Sequence, residues 1–222
     1  MILAIDTATR HASIALYDDA GVIAEQNWRS ANNHSVELLP AVTQMLARQH
    51  LHIEEVTAVA VAQGPGSFTG LRIGMSVAKG LCLGLGAALV AIPTLDITAY
   101  AVGDPGGPVV ALLEAGRGRL CAATFRFEDG LPVQQGEQVL ARAEAWEPPV
   151  EEPVLIAGEI SAVLAERLMA HAAAERIAIV SLAGSLRRAG YLAELAWNRL
   201  REGQVDDLDS LEPLYFHLAS SE

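Results

Sequence analysis

Asp6-Thr7-Ala8-Thr9 places a carboxylate and two hydroxyls within four residues. Such a set suits a metal-bound water and phosphate oxygens, which hydroxyls and turn amides bind well. It equally suits an Asx turn, in which Asp6 accepts a hydrogen bond from its own backbone, and the spacing leaves both readings open. Gly64-Pro-Gly-Ser-Phe-Thr-Gly70 joins a strand pattern to a helix pattern, where free amides and the helix dipole favour an anion. It is not a Walker A loop, because Gly70 is followed by Leu71-Arg72. Nor is it G-x-G-x-x-G, because its third glycine comes one residue late. Arg72 suits either an anion or a surface ion pair. Glu114-Ala115-Gly116 offers a second acidic turn, although a plain hairpin is the favoured reading there.

Other chemistries find no residue set. The histidines are His11, His34, His50, His52, His171 and His217, and none forms H-E-x-x-H or a zinc-type cluster. No G-x-S-x-G elbow occurs, and no Ser/His/Asp set can be argued from spacing. Cys82 and Cys121 stand 39 residues apart in apolar surroundings, which predicts buried thiols in a reducing cytosol rather than a disulfide. The expectation is therefore no catalytic residue, no metal ligand and a cytoplasmic location.

Composition narrows the partners. Hydrophobic residues make up 51% of the 222 and charged residues 19%, enough for a real core; aromatics are only 5%, so small aliphatics must fill it. The formal net charge is −12, and Lys79 is the sole lysine. Residues 1–103 carry 5 basic and 8 acidic groups and residues 104–222 carry 10 and 19, giving −3 and −9. A chain this acidic has no electrostatic footprint for gripping a phosphate backbone, so any nucleic acid is expected to be held by a partner. Met1-Ile-Leu-Ala-Ile meets Asp6 without a basic leader. The longest uncharged apolar run, Gly80 to Leu95, is 16 residues, short of the ~20 that span a bilayer.

The elements that must position these residues read as strands first and helices after, twice. Ile2 to Ile5, a strand with Ala12, Ile14 and Leu16 on one face, and Val22 to Trp28 predict three adjacent antiparallel strands, unlike a βαβ start. A helix follows, with Leu38, Leu39, Val42, Met45 and Leu46 as its stripe and Pro40 expected in its first turn. Ala58 to Ala62, a helix to about Leu85, Ala88 to Ile92 and a short helix from Pro93 complete the first half. Gly103 to Pro108 reads as the boundary. Beyond it come strands at Val109 to Glu114, Leu120 to Phe127 and Val133 to Leu140, then an acidic, Pro-rich loop over 144–153. Two βα pieces follow: Val154 to Ala157 with a helix over 161–172, and Ile177 to Val180 with a helix over 185–201 capped by Ser185 and Gly203. The predicted subdomains are 1–103 and 104–222. The helix after the glycine loop has a ridge of small residues, Gly70, Gly74, Ala78 and Cys82. Such a ridge admits another backbone, either the chain's own sheet or a helix from another subunit.

Three segments carry a resemblance: Ile2-Leu-Ala-Ile-Asp6-Thr-Ala-Thr9, His34-Ser35 with Leu38-Leu-Pro40, and above all Gly64-Pro-Gly-Ser-Phe-Thr-Gly-Leu-Arg-Ile-Gly74. Together they resemble the bacterial TsaB family, also called YeaZ, closely over residues 1–100 and loosely beyond. The resemblance implies an α/β, actin-like (ASKHA, sugar kinase/Hsp70-type) fold of two subdomains and a scaffold without activity of its own. It also implies partners: a TsaD-type catalytic paralogue that moves threonylcarbamoyl to N6 of adenosine 37 in ANN-decoding tRNAs, a TsaE-type ATPase, and a second copy when the chain is alone. Docking through the first subdomain's helices would make Leu38, Leu39, Val42, Met45, Gly70, Gly74, Ala78 and Cys82 the partner face. Asp6, Thr7 and Thr9 would be the nucleotide-facing residues. No cofactor is expected in the chain itself, with ATP or ADP placed only at the subunit interface. The paralogue's metal-binding H-x-x-x-H falls at Thr94 and Thr98 by spacing, and two threonines cannot replace imidazoles as ligands. Two departures stand out: Leu113-Glu-Ala-Gly-Arg-Gly-Arg-Leu-Cys121 where the family has an I-D-A-R-x-G-E-V-Y-like strand, and Pro213-Leu-Tyr-Phe-His-Leu218 where it has a basic tail. The competing readings are an ATP-dependent actin-like phosphotransferase or ATPase using Asp6, Thr7 and Thr9, and an M22 glycoprotease-like metallopeptidase.

Overall fold

A computed structural model describes residues 1–31 and 33–215. Two units emerge, Met1–Thr94 with Arg187–Tyr215, and Leu95–Leu186. In the first, β1 (Ile2–Asp6), β2 (His11–Asp18), β3 (Gly21–Arg29), β4 (Ala58–Gly64) and β5 (Ala88–Pro93) form a sheet in the order β3-β2-β1-β4-β5. β1 pairs antiparallel with β2 and parallel with β4, and β4 is parallel to β5. Helices α1 (His34–Arg48) and α2 (Phe68–Leu85) belong to this unit, and so does α5 (Ala189–Arg201), which packs on β1 and β2. Every residue of β1 is buried, as a strand covered on both faces must be.

The second unit repeats the plan. β6 (Val109–Glu114), β7 (Arg119–Glu128), β8 (Leu131–Arg142), β9 (Val154–Gly158) and β10 (Ile177–Ile179) run β8-β7-β6-β9-β10. The pairings again change from antiparallel (β7 with β8, β6 with β7) to parallel (β6 with β9, β9 with β10) at the first strand of the set. Two sheets of one topology in one chain are the mark of a two-subdomain, actin-like α/β fold.

The division expected at residue 103 differs from the observed one. The Gly/Pro stretch after residue 103 is a loop inside the second unit, because Leu95 and Ala99 of α3 (Thr94–Tyr100) share a core with Val109, Leu113 and Phe125. α5 returns to the first unit because its buried face, including Ala189, Leu192, Ala193 and Ala196, has the first sheet to cover. Residues 216–222, and with them Phe216 of the expected apolar tail patch, lie outside the described residues.

Two local expectations also fail for physical reasons. Pro40 sits well inside α1, since the carbonyl it leaves unpaired belongs to Val36, which faces solvent. Ser185 does not cap α5, which starts at Ala189; its hydroxyl instead accepts a hydrogen bond from the Gly158 amide at 3.3 Å. Ser161 caps α4 (Ala162–Met169) by accepting from the Leu164 amide.

Asp96 lies in the first turn of α3, where burial pushes its carboxyl up to about 6 against the opposing pull of its own backbone. A carboxyl raised from 3.8 binds the extra proton in the folded state between those values, so stability falls as pH rises through about 6. Asp96→Asn should therefore be the more stable protein at pH 7.5, by about 1–2 kcal/mol after allowance for partial exposure, and equal at pH 3.5. Urea titrations of both proteins at both pH values check this; a difference that does not change with pH contradicts it.

Candidate functional site

The β1–β2 turn is closed on itself. Asp6 ends β1 with no exposed surface. Its Oδ1 accepts the Ala8 amide at 2.9 Å, the Asx turn, and its Oδ2 accepts Arg187 Nε at 2.5 Å. Arg187 Nη2 donates to the Thr9 hydroxyl at 3.1 Å. The guanidinium is as buried as its partners. Arg187 reaches the turn from a position just before α5, 181 residues away in sequence, and no local signal marks it. The Thr7 hydroxyl is also taken, donating to the Gly70 carbonyl at 2.8 Å.

The glycine loop faces that turn directly. The Ser67 amide donates to the Ala8 carbonyl at 2.6 Å, and Ser67 caps α2 by accepting the Gly70 amide at 3.3 Å. A Cβ at Gly66 would collide with the Ala8 carbonyl, one at Gly70 with the Thr7 carbonyl, and one at Gly74 with the Thr7 hydroxyl. These glycines let two backbones touch within one unit, and the Ser67 amide of the loop is already bonded to the turn. Among the described residues Arg72 makes no ion pair. Its Nε donates to the Tyr215 hydroxyl at 2.7 Å, and its guanidinium lies 3.9 Å from the Phe68 ring centre.

The expected partner face is corrected by the same packing. Gly70, Gly74, Ala78 and Cys82 point inward, as do Leu38, Val42 and Met45; the helix residues Leu38, Val42, Met45, Ala78 and Cys82 share one core with Leu3, Ile5, Val59 and Val61. Of the eight residues only Leu39 is exposed, at 48%. An apolar or small-residue stripe reports that something covers it, and here the covering body is the chain's own sheet. The outward surface of these helices carries Val36 and Leu39 on α1 and Leu83 on α2, the last 72% exposed. Gly80 and Gly84 also open outward, with nothing within 4 Å of an added Cβ.

Around the turn, His34 is buried, and burial lowers its pKa against the raising effects of Glu37, Asp6 and the Thr9 backbone. His34 Nδ1 and the hydroxyl of Ser13, the cross-strand partner of Asp6, are buried without a hydrogen-bond partner among the described residues. Thr94 and Thr98 are both buried, and the Thr94 hydroxyl accepts the Gly64 amide at 3.1 Å. Among the described residues no group of three His, Cys, Asp or Glu could hold a metal ion. Glu114-Ala115-Gly116 forms a hairpin, closed by hydrogen bonds between Ala115 and Arg119 and between Arg119 and Gly116. Burial pushes the thiols of Cys82 and Cys121 up to about 11 and about 12. Among the described residues no helix is long and apolar enough to cross a membrane.

The family described as "TsaD: tRNA N6-adenosine threonylcarbamoyltransferase" matches residues 14–218. A Bacillus subtilis (strain 168) protein named tRNA threonylcarbamoyladenosine biosynthesis protein TsaB is 30% identical over 224 residues, covering 100% of this chain and 96% of that protein. The chain belongs to the TsaB/YeaZ family. The TsaB of Escherichia coli (strain K12) is 36% identical over 133 residues, covering 59% of this chain and 57% of its own length. Among solved structures, YeaZ from Pseudomonas aeruginosa shares the fold with a TM-score of 0.78 at 23% identity, over 97% of this chain and 99% of that one. Membership in the TsaB/YeaZ family agrees with the duplicated sheet plan described above.

Proposed function

We propose that this chain is a non-catalytic scaffold subunit for threonylcarbamoylation of adenosine 37 in ANN-decoding tRNAs. In this reading it binds and stabilises a TsaD-type catalytic paralogue, with a TsaE-type ATPase joining the assembly, and it pairs with a second copy when alone. The observation that carries the reading is the outward face of α1 and α2. Leu83 and Leu39 are exposed there, and Gly80 and Gly84 open onto none of the described residues. Glycine inside a helix costs ~0.5–1 kcal/mol relative to Ala, so a close-packing partner is a physical reason to keep it.

The absence of a catalytic role rests on residue types. Hydroxyls stand at Thr94 and Thr98, and Asp6, Thr7 and Thr9 are each hydrogen-bonded inside the chain. The phosphotransferase and metallopeptidase readings gain no support from either set. The net charge of −12 favours tRNA contact only through the complex, in the cytoplasm, and ATP or ADP enters this reading only at the subunit interface. Reconstitution with the catalytic paralogue tests the proposal. The chain should co-purify with it, and tRNA modification should require both. Turnover by this chain alone, or full modification without it, overturns the reading.

A further inference from the structure

The actin-like frame implies a cation and phosphate position at the β1–β2 turn, and the residues present do not fit one. Both oxygens of the Asp6 carboxylate are engaged, and the Ser67 amide is spent on the Ala8 carbonyl. A phosphate between turn and loop would have to replace backbone that already touches at Gly66 and Gly70. What stands against Asp6 and Thr9 instead is the buried Arg187 guanidinium, its Nε 2.5 Å from Asp6 Oδ2 and its Nη2 3.1 Å from Thr9 Oγ1.

We propose that Arg187 is a tethered cation that permanently fills the cation position of this turn, so that the turn is a closed site for Mg-nucleotide and, once the side chain is removed, an open one for a guanidinium ion. Electrostatics requires some cation. Asp6 has no exposed surface, and an unpaired carboxylate there would meet the full desolvation cost of burial. A planar fork suits the pair of acceptors, a carboxylate and a hydroxyl on one turn, better than a point charge does. Beside Asp6, the Nδ1 of buried His34 and the hydroxyl of Ser13, its cross-strand partner, have no hydrogen-bond partner among the described residues.

Chemical rescue tests this on the full chain, independently of any tRNA assay. Arg187→Ala should melt well below the wild type. Methylguanidinium at about 5 mM should raise its melting temperature by about 5 °C or more while moving the wild type and Asp6→Asn/Arg187→Ala by less than about 1 °C. Where Arg187→Ala does not accumulate in folded form, refolding it from urea with and without methylguanidinium carries the same measurement. In parallel, Mn2+ should bind the wild type no more tightly than it binds the uncharged pair Asp6→Asn/Arg187→Met. A rescue that is absent, or that persists without Asp6, overturns the proposal. So does Asp6-dependent binding of Mn2+ or Mg-ADP to the wild type.

Discussion

Gly74→Leu should destabilise the fold of the first unit rather than loosen an assembly. A Cβ at this position meets the Thr7 hydroxyl, and that hydroxyl is fixed by its hydrogen bond to the Gly70 carbonyl. The turn it belongs to is pinned in its turn by Asp6 and Arg187, so neither α2 nor the turn can retreat without losing buried hydrogen bonds. Overpacking against fixed backbone costs on the order of 3 kcal/mol or more, and for a chain of this size that is about 6–12 °C in melting temperature. The same helix supplies the opposite sign. Gly80→Ala adds a methyl group that meets nothing, so it should stabilise by about 0.5–1 kcal/mol through helix propensity. Thermal or urea unfolding of both variants decides the matter. A Gly74→Leu protein that melts like the wild type would mean that the inward ridge has been misplaced.

Leu83→Glu should do the reverse: leave stability within about 0.5 kcal/mol and remove assembly. Its side chain is 72% exposed, so the fold gains little from it. At an interface the new carboxylate would replace an apolar contact and lose its hydration, and Lys79, one turn earlier on α2, offsets only a small part of that cost. A loss on the order of 100-fold in affinity, ~3 kcal/mol, is the expected penalty for the catalytic paralogue and for self-pairing. Leu39→Glu should act in the same direction. Sedimentation of the chain alone and with the paralogue reads both effects, and an unchanged complex would place the partner on another face.

Much of this was legible in residues. Alternation and turn signals located the strands, including the antiparallel start that argues against a βαβ fold, and the repeat of strands before helices pointed to two related units. The stripe on α1 and the ridge on α2 were legible as buried. Their occupant was not, because periodicity records that a face is covered and says nothing of whether the cover comes from the same chain. The unit boundary lies away from 103 because Gly and Pro mark any loop, while what decides membership, the core that Leu95 shares with Val109 across that loop and the packing of α5 on the first sheet, leaves no local signal. Arg187 was invisible for the same reason: its role exists only through an ion pair spanning 181 residues. The glycine loop resembled an anion loop because backbone proximity and phosphate binding both call for glycine; only the Ser67–Ala8 hydrogen bond separates them.

The most direct test is a tRNA threonylcarbamoylation assay with the catalytic paralogue, the ATPase subunit and three forms of this chain. Wild type and the folded pair Asp6→Asn/Arg187→Met should support equal modification, since the turn does no chemistry, whereas folded Leu83→Glu at the same limiting concentration should support far less. Full activity with Leu83→Glu, or activity lost with a folded Asp6→Asn/Arg187→Met protein, would contradict the account and return the function to the turn.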